Sequence, residues 1–194
     1  EDATKLWWDV RPSHRFPTLE MRITDVCTRI DDGVAVAALF VCLLRMLYRL
    51  KTNNQRWRQY ASMLIAENRW RAQRYGLDEG LVDFGRGEIM PCAGLLEEII
   101  DLVREDAAAL GCAGEIEHLR TIMETGTSGH RQLATYATAL EGGADKGQAL
   151  IEVVDMLIEE TSPAVVVDFT NGDGALSAVR TAVPRGVRIV SGST

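Results

Sequence analysis

Residues 6–25, Leu6-Trp7-Trp8-Asp9-Val10-Arg11-Pro12-Ser13-His14-Arg15-Phe16-Pro17-Thr18-Leu19-Glu20-Met21-Arg22-Ile23-Thr24-Asp25, are the stretch on which the fold turns. From Leu19 to about Val26 the side chains alternate in character, as on a strand. Leu19, Met21 and Ile23 point one way, and Glu20, Arg22 and Thr24 the other. A carboxylate and a guanidinium two residues apart on one strand face lie roughly 6–7 Å apart. That spacing suits Glu20 holding a divalent cation while Arg22 clamps a phosphoryl or carboxylate oxygen. It equally suits an ordinary ion pair on a polar sheet face, and spacing alone leaves both readings open.

The upstream half, Leu6 to Val10, is expected as a second short strand, followed by an Arg11–Pro17 loop whose two prolines interrupt pairing. Asp9 and Arg11 alternate with Trp8 and Val10. One reading is an edge salt bridge with Trp7 and Trp8 packed in the core. The other makes Arg11 a binder of a substrate carboxylate or phosphate, oriented by Asp9, because planar bidentate recognition favours arginine. His14 is expected on the loop surface.

Downstream the chain reads as mostly helical. Asp31 or Asp32 is expected to cap a long helix from Gly33 to Leu50, apolar on most sides and packed beneath the sheet. Its basic end, with Arg45, Arg49 and Lys51, suits a helix C-terminus. A second helix is expected from Gln55 to Gln73, ended by Tyr75-Gly76. A short extended piece over Gly80 to Phe84 follows, then a third helix opened by Pro91 and running to Leu110. Further helices are expected over 115–124, 131–140 and 146–160, separated by glycine turns. Residues 164–169, 175–182 and 187–190 read as strand, helix, strand.

Composition bounds the function classes. The 194 residues carry a formal charge of −7, which argues against a nucleic-acid partner, since phosphate neutralisation needs a basic face. Arg56, Arg58, Arg69, Arg71 and Arg74 nevertheless gather locally, as a focused anion site or a solvated helix face. An uninterrupted twenty-residue apolar run is lacking, so no membrane span is expected. Cys27, Cys42, Cys92 and Cys112 form no CxxC pair, which fits reduced thiols of a cytoplasmic protein.

Three further blocks stand out: Glu67-Asn68-Arg69-Trp70-Arg71-Ala72-Gln73-Arg74-Tyr75-Gly76-Leu77-Asp78, then residues 126–136 (GTSGHRQLATY), then residues 149–161 (ALIEVVDMLIEET). Asn68, Arg71 and Tyr75 share one helix face. Thr127 or Ser128 can cap the helix that follows, and a helix N-terminus beside Arg131 is a natural anion site. With the opening LWWDVRP, these blocks resemble, in order over residues 4–162, the C-terminal half of the carboxylate–amine ligases. Those are the type-2 glutamate–cysteine ligase-like proteins, relatives of the glutamine synthetase superfamily. One departure is visible: Gly129 and His130 stand where the family usually has alanine and aspartate.

The resemblance implies an α+β fold, the antiparallel sheet portion of a glutamine-synthetase-like catalytic fold backed by a helical bundle over 1–162, with 163–194 an extension. It implies ATP and Mg²⁺ as cofactors, with Glu20 a metal ligand and Arg22, Arg11 and Arg71 acting on the reacting groups. Asn68, Arg74 and Arg131 would hold the nucleotide. The reaction implied is ligation of a small-molecule carboxylate, glutamate in the best-known members, to an amine such as cysteine through an acyl phosphate. The resemblance also implies that the first metal-binding strands lie in an N-terminal half that this chain lacks. That half is expected as a separate chain, or the site is completed in a homo-oligomer, and the chain alone is expected to be inactive. The competing expectations are a noncatalytic assembly subunit and an ATP-binding sensor.

Overall fold

The computed structural model describes residues 5, 7–169 and 172–192, apart from the side chain of residue 173. Leu6, the first residue of the expected strand, lies outside the described residues. The fold is α+β. The chain divides into two compact units, Glu1–Glu124 and Thr125–Thr194.

The first unit begins with a hairpin of β1 (Val10–Pro12) and β2 (Leu19–Met21), then α1 (Ile30–Thr52) and α2 (Ser62–Tyr75). A second hairpin, β3 (Leu81–Asp83) with β4 (Glu88–Met90), leads into α3 (Cys92–Leu110) and α4 (Ala113–Thr125). Both hairpins are antiparallel. The expected strands are therefore displaced and shortened. Pairing begins at Val10 and includes Arg11 and Pro12, because Pro12 sits at the last register position, where a missing N–H costs little. Trp7 and Trp8 do not pack in the core; they are 85% and 59% exposed.

The core of this unit lies between α1, α3 and α4. Ala35 and Cys42 meet Ile100, Val103, Ala107, Ile116 and Leu119, with Leu39, Leu43, Leu96 and Cys112 packed around them. So α1 packs on a helix and not beneath a sheet, and its apolar character is not all buried: Ile30, Val34, Val41, Leu47 and Tyr48 are exposed. By length and composition α1 could also cross a membrane, with a mean hydropathy of 1.9 over its most apolar window. The expectation of no span rested on an uninterrupted run, and Arg45 and Arg49 interrupt this one while its average stays high.

The helix opens at Arg29, and neither Asp31 nor Asp32 is its N-cap. Asp32 is buried, taking Nε2 of His118 at 2.8 Å. Arg45 and Arg49 likewise do more than offset a helix dipole. Both grip the fully buried carboxylate of Asp106 on α3, Arg49 Nη2 at 2.8 Å. Donation from Arg49, then from Arg45, outweighs burial and holds the Asp106 carboxyl below its ordinary value of 3.8.

α2 starts seven residues later than its composition predicts. Ala61 is extended and offers no side-chain cap, and Tyr60 is drawn off the helix line onto Phe84, ring centroids 4.7 Å apart. Arg56 and Arg58 therefore lie outside the helix, and only Arg69, Arg71 and Arg74 of the basic cluster are carried on it. Pro91 and Gly111 bound α3 as expected, with Gly111 in the left-handed conformation.

The second unit contains α5 (Ser128–Glu141), α6 (Lys146–Thr161), β5 (Val165–Asp168), α7 (Gly172–Ala182), a 3₁₀ turn (Val183–Arg185) and β6 (Arg188–Ser191). β5 and β6 pair in parallel, as a strand–helix–strand unit does. Ile158 and Val154 of α6 share a small core with Val166, Ala182, Val187 and Ile189.

Candidate functional site

The hairpin register is set by its turn. Ser13 Oγ accepts from the backbone N–H of Arg15 and of Phe16, and Ser13 N donates to Thr18 O at 2.9 Å. That closure places Arg11 directly opposite Glu20. Nε and Nη2 of Arg11 donate to Glu20 Oε2 at 3.0 and 2.6 Å. Arg22 approaches the other oxygen, Nε to Oε1 at 3.9 Å, and its guanidinium lies over the Trp7 ring, 5.3 Å from the centroid. Glu20 is thus held between two arginines.

Asp9 does not orient Arg11. Its carboxylate takes Nη1 of Arg69 on α2 at 3.0 Å, and its backbone carbonyl accepts from Arg22 N at 2.8 Å. The result is a cluster of three guanidiniums around two carboxylates, spread over β1, β2 and α2. The Arg11 side chain is only 16% exposed whereas that of Glu20 is 47% exposed. Exposed pairs of this kind contribute little to stability, about 0–1 kcal/mol. Their geometry suits planar oxyanions, which match the guanidinium fork.

A divalent cation fits this donor set poorly. Mg²⁺ wants several hard oxygens free of competing cations, and here both Glu20 oxygens face guanidinium nitrogens. Among the described residues no group of three or more His, Cys, Asp or Glu side chains is placed to hold a metal. As arranged here, the described residues around Glu20 do not fit a magnesium ion.

Asn68 and Arg71 share the α2 face expected of them, and that face meets β3. Asn68 Nδ2 donates to Val82 O at 2.9 Å while Val82 N donates to Asn68 Oδ1 at 2.7 Å, so the side-chain amide pairs with a strand residue as a neighbouring strand would. Arg71 donates to Gly80 O and Glu79 O at 3.0 and 2.9 Å and lies over the Tyr75 ring. Gly80 has φ +69°, and an added Cβ would collide with the Met90 carbonyl oxygen, so glycine is required there. Arg74 is exposed in the last turn of α2.

In the second unit Thr127 caps α5, as the sequence allowed, accepting from His130 N. The His130 ring turns back onto the same hydroxyl, Nδ1 2.7 Å from Oγ1. Arg131 donates from Nη1 to Gly126 O at 2.7 Å and sets Nε 3.2 Å from Glu160 Oε1 on α6, both side chains largely buried. Arg131 therefore ties α5 to α6.

Three features escaped the sequence reading: the Asn68–Val82 pairing, the Asp106–Arg45–Arg49 network and the His118–Asp32 pair. Each joins residues 14 to 86 positions apart, where helical or strand periodicity carries no signal. Only the polar residues on otherwise apolar helix faces, Asp106 on α3 above all, marked that something had to meet them.

The chain matches the family model described as "Glutamate-cysteine ligase family 2 (GCS2)" over residues 1–155. Three relatives bear the name "Putative glutamate--cysteine ligase 2". That of Rhodospirillum rubrum is 65% identical over 161 residues, 83% of this chain and 41% of the relative. That of Ruegeria pomeroyi is 52% identical over 160 residues, 82% of this chain and 41% of the relative. That of Sorangium cellulosum is 45% identical over 162 residues, 84% of this chain and 41% of the relative. The chain thus spans about two fifths of the length of the curated relatives it matches. No solved structure matches it. A family match that runs unbroken from the arginine-lined hairpin through α5 places this chain in the glutamate–cysteine ligase family 2.

Proposed function

We propose that the chain supplies the oxyanion-holding part of an ATP-dependent carboxylate–amine ligase, and that sequence outside it completes the site. That sequence is either an N-terminal half carried on a separate chain, the rest of one longer polypeptide, or a second copy. The observation that carries this reading is the Arg11–Glu20–Arg22 cluster on the hairpin of a family member.

In this reading the γ-phosphoryl of ATP passes to a carboxylate oxygen of glutamate, and ADP leaves. The amine, cysteine in the leading case, then attacks the acyl carbon, loses a proton and expels phosphate. Catalysis of such transfers is mostly positioning and fixed positive charge. Arg11 and Arg22 carry that charge toward the phosphoryl and carboxylate oxygens, while Glu20 keeps both forks from turning away. Arg71 acts from behind by holding the 79–80 carbonyls, and Asn68 by fixing β3. Arg74 remains a candidate nucleotide contact of the first unit, and Arg131 is proposed separately as an anion contact of the second. Since the described residues around Glu20 do not fit a magnesium ion as arranged, the metal's remaining carboxylates are assigned to sequence outside them. The proposed place of action is the cytoplasm, where thiols stay reduced.

A second reading has its own support. Asn68, Arg71 and Arg131 all bond to backbone or to a buried partner, as they would in a noncatalytic subunit that kept family residues for folding. Turnover separates the two. In a full-length polypeptide carrying this chain in place of the matching segment of the Rhodospirillum rubrum relative, ADP release should require both glutamate and an amine. Arg11→Ala should lower kcat about 100-fold or more with an unchanged melting midpoint. Turnover within twofold of the parent would favour the noncatalytic subunit.

A further inference from the structure

Cys42 and Cys112 lie 70 positions apart in sequence, yet their sulfurs are 3.5 Å from each other. Cys42 sits in the middle of α1 and is fully buried; Cys112 occupies the single residue between Gly111 and the start of α4 and is partly exposed. Both are free thiols. A disulfide needs the sulfurs about 2.05 Å apart, so about 1.5 Å of closure is missing. Cys112 is outside regular helix and carries its own side-chain rotation, which makes it the residue able to move. Cys42, in a close-packed helix interface with Ala35, Val103 and Ala107, is not.

We propose that Cys42 and Cys112 form a reversible redox staple, closed by thiol–disulfide exchange with a small-molecule disulfide. The thiolate of Cys112 attacks one sulfur of the small disulfide, making a mixed disulfide and releasing the first small thiol. Cys42 then gives up its proton as its sulfur attacks that of Cys112, and the second small thiol leaves. Two protein thiols are oxidised by two electrons, the small disulfide is reduced by two, and the two protons end on the released thiols.

The order of attack follows from the environments. Burial, with the neighbouring Cys112 adding to it, pushes the Cys42 thiol up to about 12, so it is a poor first nucleophile and serves as the resolving group. Cys112 has the access. The closed staple joins α1 to the α3–α4 junction across a long loop, and it would lock the packing that also seats Arg45 and Arg49 on Asp106.

The test is made on this chain with oxidised glutathione as the probe, followed by intact-mass measurement, peptide mapping and thermal melting. The expected result is a loss of two hydrogens, a linked peptide pair containing Cys42 and Cys112, and no retained glutathione. The melting midpoint should rise by about 5–10 °C and return on addition of dithiothreitol. In Cys42→Ala, chosen because alanine is accepted in a helix interior, glutathione should remain attached at Cys112. In Cys112→Ser no oxidation of Cys42 should occur. Linkage through Cys27 or Cys92, an unlinked Cys42–Cys112 pair after treatment, or no glutathione on Cys112 in Cys42→Ala would each overturn the proposal.

Discussion

Asn68 illustrates how a residue in a strongly family-like block can be occupied by architecture. Its amide both donates to and accepts from Val82, so one donor and one acceptor position are committed to β3. Asn68→Ala leaves a strand donor and acceptor without their partner and should cost about 1–2 kcal/mol, measured by urea unfolding. Gly80→Ala should cost more, because the new methyl meets the Met90 carbonyl oxygen at a positive φ. Asp106 makes the case for charge. Its folded-state pKa is depressed by Arg49 and Arg45, so its stabilising contribution is present above the unfolded value and is lost as pH falls through the folded value. The stability difference between the parent and Asp106→Asn should therefore be constant above about pH 5 and shrink on acidification below pH 3.8. A gap that widens toward acid would contradict this pairing.

At the scale of elements, the β1–β2 hairpin shows what a sequence reveals and what it hides. Alternation from Leu19 onward placed Glu20 and Arg22 on one face, and both do meet there. The partner of Glu20 was hidden, because Arg11 stands opposite it only through the register that the Ser13–Thr18 turn imposes. Helix boundaries divide the same way. Pro91, Gly111 and Thr127 act locally, so both ends of α3 and the cap of α5 were legible from them, although α5 begins at Ser128 and not at residue 131. The starts of α1 and α2 were not, because Asp32 is claimed by His118 and Tyr60 by Phe84, both contacts made across the fold. For the hairpin itself, a double-mutant cycle on Arg11 and Glu20 should give a coupling of about 0.2–1 kcal/mol. A coupling of several kcal/mol would mean that the cluster is chiefly structural.

The whole molecule is marked by apolar surface on the same unit as the arginine cluster. Trp7, Trp8, Phe16, Leu19, Ile23, Val26 and Ile30 are all exposed on or next to the first hairpin, and α1 adds Val34, Val41 and Tyr48. Patches of this kind mark interfaces. The curated relatives that this chain matches are more than twice as long as the matched segment. Sequence alone could name the family from its blocks, but it could not say how little sheet this chain carries: three two-stranded sheets among the described residues. Among the described residues such a scaffold gathers arginines on the first hairpin and places no group of three or more His, Cys, Asp or Glu to hold a metal. The most direct measurement is ADP release in the presence of glutamate, cysteine and Mg²⁺, compared between this chain alone and a polypeptide in which it replaces the matching segment of the Rhodospirillum rubrum relative. No release above background is expected from the chain alone, and release dependent on both substrates is expected from the completed polypeptide. Substrate-dependent release from the isolated chain, or none from the completed polypeptide, would overturn the proposed function.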